Sequence, residues 1–213
     1  MSTPETTPET APKPPRSRPL ADAPEAEARS TAVLAAIEAR RSTKKFSDQP
    51  PTRAQLETLL RAAVCAPDHG KLAPWRFTVL QGPSRGLFAD ALAESLRARM
   101  PEVEDDAVQR EREKAFRSPV LLVVSAHAET HPKVPAVEQW VAVGAAVQNL
   151  WLAAVALGLG AAWKTGNAAY DPVVKRALGV PEGDAVIGFL HVGTPLASAP
   201  PREAEFESRT RWL

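Results

Sequence analysis

At 213 residues the chain is long enough for one well-filled hydrophobic core and at most two small domains. Its 26 Lys and Arg against 25 Asp and Glu leave a net charge of +1, without the basic excess of a nucleic-acid surface. Cys65 is the only cysteine, so neither an internal disulfide nor a Cys-rich zinc site is available, which favours an intracellular, cytoplasmic location.

Residues 1–24 carry seven prolines among Thr, Glu and Ala, with no apolar core of a signal peptide. Such a segment cannot bury enough surface to offset its ordering entropy, so residues 1–28 read as a disordered tail and 29–213 as a single domain. Thr31 to Arg41 repeats apolar residues at helical spacing through Val33, Leu34 and Ile37. Thr52 and Gln55 form a capping-box pattern that opens a helix with Leu56, Leu59, Leu60 and Ala63 inside, and Pro67 ends it. Trp75 to Leu80 alternates and is rich in β-formers, so a strand is expected.

Two charged helical stretches follow, near Ser84–Arg99 and Asp105–Phe116, and read as an exposed excursion. Val120 to Val124 is a short apolar run, hence a buried strand. Pro135 to Leu157 reads as a long central helix buried on all sides. The uncharged stretch from Trp140 to Trp163 has the length of a membrane span. Gln148 and Asn149 near its centre, its Ala and Gly content, and the breaks at Gly158 and Gly160 argue against insertion. Ala161 to Lys164 is a brief strand. Asp171-Pro172 caps a helix that Gly179 stops, and Ala185 to Val192 is the last strand. No glycine-rich phosphate loop follows any strand, so an α+β layer around a large central helix is preferred to a doubly wound sheet.

Arg40, Arg41, Ser42, Thr43, Lys44 and Lys45 gather cations and hydroxyls where the first helix ends. Arginine forks match phosphate oxygens, and hydroxyls add donors. Equally, cations simply favour a helix C-terminus through its dipole. Cys65 and His69 could pair as nucleophile and base, but no Asp or Asn is placed by sequence to orient the histidine and Pro67 breaks the helical spacing. His127 and His131 precede Pro132, so a helical metal site is not expected. HExxH does not occur. A chain this poor in acid–base machinery suits an enzyme whose chemistry is carried by a bound cofactor. Trp163-Lys164-Thr165 could form one wall of an aromatic and phosphate site, or merely a strand end before a turn glycine.

Taken in order, RRSTKKF at 40–46, RAAVCAPDHGKLAPWRF at 61–77, HPKVPAVEQ at 131–139, LGLGAAWKTG at 157–166 and VIGFLHVGTP at 186–195 resemble the flavin-dependent nitroreductase family. The resemblance is to its small, minimal-length bacterial branch and covers residues 30–195. It implies a nitroreductase-like α+β fold, in which helices flank a central antiparallel or mixed sheet. It also implies noncovalent FMN and an obligate homodimer with two shared sites at the interface. NAD(P)H would reduce the flavin and leave before a small-molecule acceptor, a nitroaromatic or quinone, takes its place.

By the same resemblance Arg40, Arg41 and Ser42 would hold the phosphate and ribityl chain, and Lys44 the pyrimidine side of the ring. His69 would reach the flavin from the partner subunit, and Trp163, Lys164 and Thr165 match the late FMN motif. Cys65 stands where a related pattern has arginine. Ala153, Ala154, Val155, Ala156, Leu157 and Gly158 correspond to a segment associated with the nicotinamide cofactor. Leu72 and Ala73 depart from the family's flavin-edge amides. No metal, membrane or nucleic-acid partner is expected. Two other readings stand beside this one: an FMN enzyme that fragments flavin or removes halogens, and a flavin-binding protein without turnover.

Overall fold

The computed structural model describes residues 23–197, 200 and 205–213. The described residues fall into two compact units that divide between Leu34 and Ala35. Most of the expected Pro-rich tail lies outside the described residues. Helix α1, Ala23–Ala39, begins ahead of the expected tail end at 28.

The remaining helices are α2 (Arg53–Ala63), α3 (Arg85–Arg99), α4 (Asp105–Glu113), α5 (Ala136–Ala156) and α6 (Pro172–Ala177). The strands are β1 (Trp75–Gln81), β2 (Val120–Ala126), β3 (Gly160–Lys164) and β4 (Ala185–Gly193). They form one sheet in the order β1-β2-β4-β3, antiparallel at every step, with a register shift between Val124 and Ser125. Ser42 adds a parallel bridge to Ala161 at the β3 edge.

Both faces of the sheet are covered. On one, Val120, Leu122 and Val124 of β2 and Leu190 and Val192 of β4 pack with Leu56 and Leu59 of α2 and Val143, Val147 and Leu150 of α5. On the other, Leu121, Val123 and Phe189 pack with Phe88 and Leu92 of α3 and Val174 of α6. Alternate β2 side chains therefore enter different cores, which is why that strand reads as an unbroken apolar run.

The capping box at Thr52 forms as expected: its hydroxyl accepts from the Gln55 N–H at 3.2 Å, and its own N–H donates to Gln55 Oε1 at 2.8 Å. Asp171 likewise accepts from the Val173 N–H at 2.8 Å.

Two expectations are corrected. The 84–116 stretch is not an exposed excursion. Phe88, Ala89, Ala91, Leu92 and Leu96 of α3 are buried, and the Phe88 and Phe189 ring centroids lie 4.7 Å apart. Its charges occupy the outer face, where they masked a core stripe of modest size. Nor is α5 buried on all sides. Val143, Val147, Leu150 and Ala154 are fully buried, but Val137, Trp140 and Val141 near its start stand exposed. By length and composition alone α5 could cross a membrane, yet its buried face is a wall of the protein core.

Candidate active site

The site is built at the β3 edge. The Thr43 N–H donates to the Ala161 carbonyl at 2.9 Å, laying the Arg40–Lys44 segment alongside the strand. Glycine is required at 160: a Cβ there would lie 2.2 Å from Thr43 Oγ1 and push the segment away. A second close approach orients Trp163. Its Nε1–H donates to the Ile187 carbonyl at 2.9 Å, and a Cβ at Gly188 would fall 1.9 Å from that nitrogen.

Together these contacts shape a cleft of about 520 Å³ lined by Arg40, Ser42, Gln148, Trp151, Trp163 and Thr165. The Arg40 guanidinium lies 4.5 Å from the Trp151 ring centroid, a cation–π contact that holds the charge over the ring. Trp151 Nε1 is buried with no hydrogen-bond partner among the described residues. A guanidinium fork, two hydroxyls, an amide and two indoles supply donors for a phosphate and flat walls for a ring.

Of the sequence-predicted residues, Arg40, Ser42, Trp163 and Thr165 meet in this cleft. Arg41 turns elsewhere. Its guanidinium donates to the Pro200 carbonyl at 2.9 Å, to the Arg40 carbonyl at 2.8 Å and to the Glu38 carbonyl. Strand alternation puts Lys164 on the opposite face of β3 from Trp163. There it shares a hollow of about 380 Å³ with Lys44, Arg117 and His191.

His69 lines a separate hollow of about 330 Å³ with Val137, Glu138 and Val141, and its Nδ1 lies 2.6 Å from Glu138 Oε2. Cys65 is exposed, and its thiol lies 3.3 Å from the Arg61 carbonyl. In the 153–158 segment Ala154 is buried, Ala153 and Val155 pack against the core, and Ala156, Leu157 and Gly158 are exposed at the end of α5. None of the six lines the cleft. Among the described residues no cluster of three or more metal-ligating side chains occurs.

Gln148 and Trp151 were missed as site residues. Their signal was present: a polar residue and an indole three apart on one face of an apolar helix, over a partner strand that also carries tryptophan. The loop before β1 is strained. Lys71 and Ala73 adopt φ of 56° and 47°, and the Ala73 N–H donates to Asp68 Oδ2 at 2.7 Å. That bond fixes the backbone at Ala73.

An antiparallel sheet between helical layers, with an arginine- and indole-lined cleft at its edge strand, defines a nitroreductase-like α+β protein. The chain belongs to the Nitroreductase family, whose sequence model matches residues 37–194. It is 39% identical over 160 residues to YdjA of Escherichia coli, a protein provisionally named an NAD(P)H nitroreductase. The match spans 75% of this chain and 86% of YdjA. A nitroreductase-like protein of Bacillus cereus superposes with a TM-score of 0.75 at 25% identity, over 85% of this chain and 95% of that one. A protein of Desulfovibrio desulfuricans provisionally named a nitroreductase, solved in complex with FMN, superposes at 0.67 with 24% identity, over 85% and 96%.

Proposed function

We propose that the chain is an FMN-dependent oxidoreductase that passes electrons from NAD(P)H to nitroaromatic, quinone or similar acceptors, working as a homodimer. The observation that carries this is the cleft itself: a cationic fork, two hydroxyls and two indoles gathered at one strand edge. FMN supplies two-electron transfer in two half-reactions, from reduced nicotinamide and then to the acceptor, in a ping-pong order.

The chain's own residues do the rest. Arg40 binds the phosphate by charge-assisted hydrogen bonds, with Ser42 and Thr165 as hydroxyl donors. Trp163 and Trp151 wall the cleft against water. Lys44, at the far end of the same bridged segment, would place a cation where the reduced ring gains negative charge. His69, in a hollow of its own beside the exposed Val137 and Val141, would serve a partner subunit's cleft. That exposed apolar stretch of α5, with Trp140, is a surface that pairing two copies would bury.

The test is an absorbance spectrum of the purified protein followed by anaerobic NADPH titration. Flavin bands that bleach on titration, FMN alone on chromatography of the released cofactor, and a dimer in sedimentation are expected. A colourless protein or release of FAD alone overturns the cofactor reading. A yellow protein that never bleaches overturns the enzyme reading, and a monomer the shared site.

A further inference from the structure

Lys164 leaves a cation without a role in the Arg40 cleft. Two hollows, of about 390 Å³ and 380 Å³, share three residues on that opposite face of β3: Lys164, Arg117 and His191. Lys44 joins them on one side, and Arg99 and Lys114 on the other. The carboxylates nearby are committed. Glu111 holds Lys114 at 2.5 Å, and Asp171 faces Arg99 at 3.9 Å while accepting from Ser95 at 2.5 Å. Lys44, Arg117 and Lys164 have no carboxylate partner among the described residues.

Beneath these cations sits His191, 3% exposed on β4. Its tautomer follows from its neighbours. Ser118 Oγ lies 2.7 Å from the Val120 carbonyl, which can only accept, so the hydroxyl proton goes there. His191 Nδ1, 3.0 Å from the same oxygen, must then donate to it. Nε2 is left as a bare acceptor with no partner among the described residues, below a rim of donors. Burial, then the charges of Arg117 and Lys164, holds the ring neutral, with its pKa pushed down to about 4.

We propose that this paired hollow is a binding site for a proton-bearing phosphate group, its oxygens held by Arg117 and Lys164 and its P–O–H donating to His191 Nε2. The pairing is selective by chemistry. A phosphate with one remaining proton satisfies both the cations and the bare acceptor. Sulfate, fully deprotonated near neutral pH, would meet Nε2 with another acceptor. The ligating pair is set apart from the flavin cleft, since Trp163 and Lys164 lie on opposite faces of the strand, although Ser42 lines both and Lys44 borders this hollow.

Inorganic phosphate, sodium sulfate, NAD+ and NADP+ are each titrated into the protein as purified at pH 6, where a phosphate monoester with a second pKa of about 6 still keeps its proton in about half of the molecules, with histidine ring ¹⁵N resonances as the readout. Phosphate is expected to give a saturable shift of the His191 nitrogens. Arg117→Ala and Lys164→Ala, both on the exposed rim, should each weaken it roughly tenfold or more. Sulfate should bind at least roughly tenfold more weakly than phosphate. An NADP+ response tighter than that to NAD+ would assign the phosphate to a nucleotide ester. Equal or absent nucleotide responses beside a phosphate response would assign it to the free ion. No saturable shift with phosphate or NADP+, an undiminished shift in both rim variants, or sulfate binding as tight as phosphate overturns the site. So does release by phosphate of any flavin the protein carries, because the anion would then be entering the Arg40 cleft.

Discussion

The two faces of β3 differ more than their sequence neighbours suggest. Trp163 lies against Gly188 and helps wall a cleft with Arg40 and Trp151, a wide aromatic site. One residue on, Lys164 faces a narrow cationic hollow floored by a buried neutral histidine. The contrast teaches that a contiguous motif such as Trp163-Lys164-Thr165 need not serve one ligand. On a strand, adjacent residues are assigned to opposite environments, and only the layers packed on each face decide what those are.

The contrast breaks first if the α3 side is merely peripheral. A surface position would lose less than about 0.5 kcal/mol on truncation. With Phe88 buried against Phe189, Phe88→Ala is expected to cost about 3–5 kcal/mol in urea unfolding. A loss below about 1 kcal/mol would return this layer to the status of an excursion.

The buried histidine gives the next largest effect. The unfolded chain takes up a proton at the ordinary histidine value of 6.5, whereas folded His191 resists until about 4. The unfolded state thus binds more protons across that window. Stability tied to neutral His191 is whole above pH 6.5 and drains as the pH falls towards 4, by about 3 kcal/mol. Comparing urea unfolding of wild type and His191→Gln at pH 7.5 and 4.5 isolates it. Parallel losses in both proteins would mean the hollow does not hold the ring neutral.

Arg40 and Arg41 sharpen the comparison on the cleft side. Removing a charge-assisted phosphate contact in Arg40→Ala should weaken FMN affinity by about 1.5–3 kcal/mol, roughly ten- to a hundredfold. Arg41→Ala should fall within about 0.5 kcal/mol of wild type, because that guanidinium is committed to backbone carbonyls. Fluorescence titration of the apoprotein measures both, and equal losses would put the two forks on one ligand. Smallest is Thr52→Ala, which removes half of the capping box on α2 and should cost about 1 kcal/mol in thermal or urea unfolding. An unchanged midpoint would show that tertiary packing alone sets the start of that helix.

Local chemistry was readable from the chain itself. Thr52 with Gln55, Asp171 with Pro172, and Gly179 after α6 act over one turn, so their consequences did not depend on distant residues. The apolar run at 120–124 and the alternation at 75–80 declared strands for the same reason. Arg40, Ser42, Trp163 and Thr165 were legible as a set only because a family resemblance joined two segments more than a hundred residues apart. What the sequence alone could not reach was direction and company. Arg41 and Arg40 are chemically alike, but one is drawn to the Pro200 carbonyl and the other stacks on Trp151. The core stripe of α3 hid among charges until Phe189 supplied its partner ring. His191 is an ordinary histidine in sequence. Packing between two layers removed its water, Ser118 fixed its tautomer, and Arg117 and Lys164 gathered above it. Propensity and capping are short-range energies written in neighbouring residues, whereas burial and electrostatic setting are sums over surroundings that exist only once the layers have closed.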